Sequence, residues 1–326
     1  MGVKSYIEHH CPELYKRVVE EKYFIDYQAN KRLVQKEGAE ALIRKLYFKY
    51  FGKQPELNKP VTFNEKLQWL KLNWYDERTP VCSNKHLVRE YVRQNGLEDL
   101  LIEEYAVFDS ANDIDLSKLP DRFVLKPAHD SGHIIICKDK QSFNLKSAVK
   151  NLNRWLTVDY EYKSGEWPYS SKKCIVCEKY MEDLEAGELL DYKFFCFNGK
   201  PEYVFFVSDR AHHAKSDFYD MDWKLQNFRW YYEPSGKTYP MPAQFEKMKE
   251  YARRLASDFP FVRVDLYQIN GKVYFGELTF FHGGGLGWFR PDNKDKDFGD
   301  MLILPPKSNP APWDIIHPEL QRKRQK

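Results

Sequence analysis

The sequence predicts an α+β fold in which antiparallel sheets are separated by helices. Three observations carry this. Asn198-Gly199 and Asn270-Gly271 each sit between apolar strand-like runs, the mark of a two-residue hairpin turn. Phe123-Val124-Leu125 and Ile134-Ile135-Ile136 flank a loop from His129 to Gly132, giving another strand pair. Stretches of helical periodicity lie between these pairs, and strand pairs separated by helices indicate antiparallel sheets.

In chain order, residues 1–84 read as a helical region. Cys11 to Tyr50 is rich in Glu, Lys, Leu and Tyr, with no glycine before Gly38. Phe63, Leu67, Leu70 and Trp74 form an i, i+4, i+7, i+11 stripe that belongs in a core. Thr62 followed by Glu65 predicts a capping box at the start of that helix. No strand here is followed by a Gly-rich turn, so a Rossmann-type start is not visible. From Lys85 the texture changes. Asn84 to Asn95 predicts a helix ended by Gly96, Asn144 to Thr157 a second helix, and Ile175 to Tyr180 a strand. Asp191 to Phe197 and Tyr203 to Val207 form the first Asn-Gly hairpin. Phe245 to Asp258 is helical, with Met248, Tyr251, Ala252 and Leu255 on one side. Phe261 to Tyr267 and Val273 to Phe280 form the second hairpin.

Composition narrows the function classes. The 326 residues are 42% hydrophobic and 16% aromatic, which excludes a disordered or collagen-like chain. Lys+Arg 51 against Asp+Glu 48 is too balanced for a dedicated nucleic-acid binder. No apolar run approaches the roughly 18 residues of a membrane helix, and no apolar signal core follows Met1, so the expected compartment is the cytoplasm. The basic tail Arg322-Lys323-Arg324-Gln325-Lys326 reads as a solvated terminus, with weak association to a membrane surface as the alternative. Cys174 and Cys177 have CxxC spacing, but inside a strand they point to opposite faces and cannot readily share a metal.

Three constellations carry chemistry. Lys126 ends a strand and precedes Pro127-Ala128-His129-Asp130-Ser131-Gly132-His133, where a cation and turn N–H groups suit a triphosphate; an ordinary hairpin with a surface lysine is the competing reading. Glu178-Lys179-Tyr180-Met181 leaves a buried strand and offers backbone groups to an adenine edge, with Glu182, Asp183, Glu185 and Glu188 nearby for ribose hydroxyls. Arg263 and Asp265 share one strand face, as do Glu277 and Thr279 on the hairpin partner. Two converging carboxylates beside an arginine suit Mg²⁺ bridging nucleotide phosphates; the competing reading is a cross-strand salt bridge. Asp220-Met221-Asp222 is a DxD, as in metal-dependent glycosyltransferases, but reads better as a β-turn.

The order of these pieces resembles that of ATP-grasp ligases, and more closely the TupA-like ATP-grasp family, named for teichuronopeptide biosynthesis. The matching segments include Phe63-Asn64-Glu65-Lys66-Leu67-Gln68-Trp69-Leu70, Val88-Arg89-Glu90-Tyr91-Val92, the run Gly187 to Lys200, Phe218 to Trp223, Asp258 to Asp265 and Gly276-Glu277-Leu278-Thr279-Phe280. The resemblance runs from about Thr62 to Asp300 and implies an ATP-grasp domain over 85–304, with a lid subdomain about 120–178, a larger subdomain about 179–304 and a tail 305–326. It implies ATP and Mg²⁺. Arg89, Lys126, Ser131 and Gly132 would meet the phosphates, with Glu178, Lys179 and the Met181 backbone at adenine and Glu185 at ribose. Lys193 would touch the γ-phosphate, Asp265, Glu277 and Thr279 would hold metal, and Arg263 would steady the phosphoryl group. The implied reaction couples a carboxylate to an amine through an acyl phosphate, in cell-surface polysaccharide assembly such as a capsule.

Two features depart from the pattern. Asp130 and His133 stand in the lid where glycine is usual, the Asp130 charge predicting repulsion of a triphosphate, and Thr279 replaces an expected asparagine, predicting a weaker metal ligand. A nucleotide-binding protein without catalysis is therefore a further alternative. His282 reads as structural in preference to an acceptor-substrate contact, and so do His212 and His213 after Arg210.

Overall fold

Glycines decide where the first helices stop. The computed structural model describes residues 12–183, 190–208 and 214–320. Helix α1 (Pro12–Glu37) ends at Gly38 and α2 (Ala39–Phe51) at Gly52, with φ of +91° and +68°. Both angles lie in the left-handed region that glycine enters without a Cβ clash. Helix α3 (Phe63–Asn73) opens with the predicted capping box: Thr62 Oγ1 accepts from the Glu65 N–H, and Glu65 Oε2 accepts from the Thr62 N–H. Its stripe of Phe63, Leu67, Leu70 and Trp74 is buried, and Phe63 packs edge-on against Phe261 at 4.9 Å. The N-terminal helices thus share one apolar core with the strands that follow.

The helix expected over 84–95 begins four residues late, at Val88, and a separate short helix precedes it. Helix α4 (Arg78–Ser83) and α5 (Val88–Gln94) are separated at Asn84, whose Oδ1 accepts from the N–H groups of His86 and Leu87. That local turn competes with helix for the same backbone donors. Gly96, at φ +63°, follows the second helix as expected.

A four-stranded antiparallel sheet comes next, in the order β1-β4-β2-β3, from β1 (Glu104–Phe108), β2 (Phe123–Pro127), β3 (Ile135–Cys137) and β4 (Ile175–Lys179). Helix α6 (Leu145–Leu156), capped by Asn144, covers one face through Leu152 and Trp155, packed with Phe123, Leu125 and Cys177. Cys174 packs on the other side with Ala128 and Val176, so the two cysteines are parted as strand alternation requires. A short helix α7 (Glu161–Ser164) precedes β4.

The second sheet has five antiparallel strands in the order β10-β9-β5-β6-β7: β5 (Asp191–Phe197), β6 (Lys200–Ser208), β7 (Lys215–Asp220), β9 (Phe261–Ile269) and β10 (Lys272–Thr279). Both Asn-Gly hairpins form, β5–β6 and β9–β10. Helix α8 (Phe245–Ala256) covers one face, with Phe245 stacked on Phe194 at 6.0 Å. A two-stranded ribbon, β8 (Arg229–Trp230) with β11 (Phe289–Arg290), and helices α9 (Asn293–Met301) and α10 (Pro312–Ile316) complete the chain. No helix among the described residues is long and apolar enough to cross a membrane.

Gly199 is held by more than its turn. It has φ +81°, and a Cβ there would lie 1.9 Å from the Ser257 carbonyl oxygen at the end of α8. Gly199→Ala is expected to lose about 3 kcal/mol of stability, since backbone must move to admit the methyl group. A urea midpoint unchanged from the parent chain would contradict this.

Candidate active site

Strand register builds one charged row across the larger sheet. Lys193 on β5 pairs with Asp265 on β9, and Asp265 pairs in turn with Glu277 on β10. Arg263 lies opposite Thr279. An irregularity between Phe275 and Glu277 sets this alignment at Gly276, where a Cβ would meet the Tyr267 ring at 2.8 Å. Lys193 Nζ donates to both Asp191 and Asp265. Arg263 is the hub: Nε and Nη2 donate to Asp265 at 2.7 and 2.8 Å, and Nη2 also reaches Glu277 Oε1 at 2.9 Å and Thr279 Oγ1 at 3.1 Å. Its Nη1 donates to His282 Nδ1 at 2.8 Å.

Alternation had predicted a charged face open to solvent or ligand. Asp265 is 1% and Arg263 9% exposed, and the competing reading, a cross-strand salt bridge, is also present between Arg263 and Glu277. Burial pushes the Asp265 carboxyl up to about 6, although Arg263 and Lys193 pull the other way. For Glu277 burial is outweighed by Arg263 and Lys193, which hold the carboxyl down at about 2. Burial beside Arg263 and Lys193 drives His282 well below the usual histidine range. Two carboxylates of one row are thus pushed apart in acidity by what surrounds each.

A cavity of about 290 Å³ lies between the sheets and gathers the expected phosphate contacts Arg89, Lys126, Ser131, Gly132 and Lys193, together with Glu178, expected at adenine, and with Asp191 and Glu277. Lys126 Nζ sits 2.6 Å from Glu178 Oε2 across β2 and β4. Arg89 donates to the Ile102 carbonyl at 2.8 Å, which aims its guanidinium along the cavity wall. Lys85 also lines this cavity, though nothing in its sequence surroundings marks it. Lys179 and Met181 are not among the lining residues; the Lys179 side chain is exposed, and its N–H is taken by the Glu103 carbonyl. Glu185, and likewise Arg210, His212 and His213, lie outside the described residues.

The lid loop corrects one expectation. Asp130 is 3% exposed, with His133 Nδ1 2.6 Å from its Oδ2 and Lys85 Nζ 3.6 Å from its Oδ1. Lys85 donates to the Asp130 carbonyl as well. The Asp130 charge is therefore buried and faced by Lys85 within the protein, which lessens the repulsion expected of it, although its Oδ1 has no hydrogen-bond partner among the described residues. His133 is stacked on Trp155 at 4.5 Å, anchoring the loop to α6.

A second cavity, about 660 Å³, shares Ser131, Lys193 and Glu277 with the first. Its walls include Tyr160, Lys163, Tyr169, Trp230, Tyr232 and His282, with Leu46 and Tyr50 from α2. The sequence reading missed these, His282 excepted, because single aromatics on loops and short helices carry no periodic signal. Lys163 Nζ donates to Tyr160 Oη at 2.8 Å, and Tyr160 donates to the Ser131 carbonyl at 3.0 Å, tying this wall to the lid. His282 Nε2 is buried without a partner among the described residues, a state that costs about 1–3 kcal/mol.

The site residues suit Mg²⁺ by chemistry. Asp265, Glu277 and Thr279 supply hard oxygen donors, and three carboxylates against two cations leave one negative charge in the row. No group of three or more His, Cys, Asp or Glu side chains among the described residues forms a metal cage. Mg²⁺ seldom uses one; it takes one or two carboxylates and completes its shell with water and substrate phosphates. The DxD is a turn: Asp220 Oδ1 accepts from the Asp222 and Lys224 N–H groups, and Asp222 pairs with Lys224.

No curated protein sequence matches the chain. Among solved structures it is similar to D-alanine–D-alanine ligase from Bacillus anthracis complexed with ATP, at 18% identity and a TM-score of 0.38, covering 61% of this chain and 55% of that one. The same ligase from Helicobacter pylori gives 17% and 0.41, covering 74% and 69%. Phosphoribosylamine–glycine ligase from Thermotoga maritima gives 13% and 0.37, covering 63% and 49%. The chain thus spans little more than half the length of the Bacillus ligase. A family model described as TupA-like ATP-grasp matches residues 65–303, from the capped helix α3 past the carboxylate row, and with most of its length inside that match the chain belongs to the TupA-like ATP-grasp family.

Proposed function

We propose that the chain is an ATP-dependent carboxylate–amine ligase. The observation that carries this is the pair of adjoining cavities with a common wall at Ser131, Lys193 and Glu277. The smaller has the cations for a triphosphate, in Arg89, Lys126 and Lys193. The larger has the room and the aromatic walls for an organic substrate. A carboxylate held in the larger cavity can attack the terminal phosphoryl group at the shared wall, releasing ADP and forming an acyl phosphate. An amine then displaces inorganic phosphate and leaves an amide. No protein nucleophile is required.

Lys126 and Arg89 would hold phosphates from one side, and Ser131 and Gly132 from the lid. Lys193 and Arg263 would face the transferred group and offset its charge. Asp265 and Glu277, with Thr279 beside them, would hold Mg²⁺, which supplies further charge neutralisation when bound. Glu178, Lys179 and Met181 would border adenine, and Glu185 the ribose. We assign the carboxylate to a uronic acid and the amine to an amino acid, in cell-surface polysaccharide assembly. Phosphate release measured over pairs of uronic acids and amino acids tests the reading. ATP and Mg²⁺ with no release beyond background for any pair would leave a nucleotide-binding protein without ligase activity.

Lys126→Ala should weaken ATP binding roughly 10–100-fold, the worth of one or two charged hydrogen bonds. Its check is the thermal stabilisation given by ATP with Mg²⁺. An undiminished shift would remove Lys126 from the phosphate site.

A further inference from the structure

We propose that His282 contacts the carboxylate-bearing substrate, donating its Nε2–H to a substrate oxygen in the larger cavity; the inference rests on the ligase reading above. Its basis is the fixed tautomer. A guanidinium has only N–H donors, so at 2.8 Å from Arg263 Nη1 the Nδ1 of His282 must accept. A ring with an accepting Nδ1 is neutral and carries its proton on Nε2. That donor is buried and has no partner among the described residues. Nor can the ring readily turn to find one. Its centroid lies 4.1 Å from the Trp230 ring and 4.6 Å from the Phe195 ring. The backbone beyond it is equally confined, because a Cβ at Gly283 would lie 2.5 Å from the Trp230 side chain.

The surroundings define what the donor awaits. His282 lines the cavity together with Lys163, Lys193 and Arg263 and with the carboxylates of Glu166 and Glu277, so a substrate oxygen there meets three cations against two anions, and one neutral N–H. Tyr160, Tyr169, Trp230 and Tyr232 supply flat apolar walls with polar tips. A pyranose carrying a carboxylate matches both: its C–H face suits the rings and its anion suits the cations. Arg263 thereby has two tasks, pairing the carboxylates of the row and setting the proton position on His282.

The test uses the full chain with ¹⁵N-labelled histidine and D-glucuronate as the probe, in the presence of ADP and Mg²⁺. The free protein should show His282 neutral with its proton on Nε2, and added glucuronate should move that N–H signal. His282→Asn keeps an acceptor near the Nδ1 position and loses the far donor, so glucuronate binding should weaken at least 10-fold while ATP binding stays within twofold. His282→Gln, whose amide reaches further, should recover part of the loss. A proton on Nδ1 overturns the inference without use of any variant. So does a signal that glucuronate leaves unmoved while ATP and Mg²⁺ still stabilise the chain, with the nucleotide reading intact. Absence of nucleotide stabilisation overturns both together.

Discussion

Asp265→Asn is expected to lower ATP turnover by at least 10²–10³-fold while changing stability at pH 7 by no more than about 1 kcal/mol. The combination is unusual for a side chain 1% exposed with three cationic hydrogen bonds. Charge balance explains it. Asp191, Asp265 and Glu277 face Lys193 and Arg263, so a neutral amide at 265 leaves two anions against two cations. The sign of the acidity shift agrees. Burial raises the Asp265 carboxyl from its ordinary 3.8 to about 6, so the fold prefers the protonated group. That preference adds stability in full below about pH 3.8 and is lost as pH rises through about 6. Parent protein should therefore gain stability on acidification from pH 7 towards 5, and the variant should lack that gain.

Glu277→Gln should behave oppositely. Its carboxyl is held at about 2 in the fold against an ordinary 4.5, so ionisation stabilises the fold above about pH 4.5 and the benefit fades as pH falls towards 2. The glutamine variant should lose turnover and about 1 kcal/mol of stability at pH 7, a modest figure because the side chain is 37% exposed. Turnover retained by either variant in phosphate-release assays would remove that residue from the metal site. Equal pH profiles for the two would show that the carboxylates are not differentiated as described.

Much of this was legible in the chain, for identifiable reasons. Asn198-Gly199 and Asn270-Gly271 fix hairpin registers locally, and those registers bring Arg263, Asp265, Glu277 and Thr279 together. Lys193 joins them because β5 pairs with β9, a contact between strands about seventy residues apart that no local pattern announces. The late start of α5, at Val88 and not at Asn84, was hidden for a related reason. Asparagine is tolerated in a helix, and its turn is secured by Asn84 Nδ2 reaching Ser171 and the Lys172 carbonyl, far along the chain. Asp130 was read as a repulsive charge because Lys85, its partner, precedes it by forty-five residues. The aromatic cavity was invisible since its walls come from α2, α7, β8 and the turn after β10, each contributing one to three side chains.

Arg263→Met is expected to be the most damaging single change to the site, costing about 3–5 kcal/mol at pH 7.5 together with all ligase turnover. Arg263 is the common partner of Asp265, Glu277, Thr279 and His282. Its removal leaves three carboxylates facing Lys193 alone, an excess of two negative charges in a largely buried row. The melting temperature should fall by roughly 5–15 °C. Protonation is the relief available to the variant: Asp265, already raised by burial, rises further, and Glu277 loses the main cation that depresses it. The gap between variant and parent should accordingly narrow as pH falls from 7.5 to 5. Arg263→Lys separates charge from geometry. A lysine restores one positive charge, so more than half of the lost stability should return, yet a point charge cannot span four acceptors and the turnover should not. A methionine variant as stable as the parent at pH 7.5, or a gap that widens on acidification, would mean that the row is neutralised by something other than Arg263.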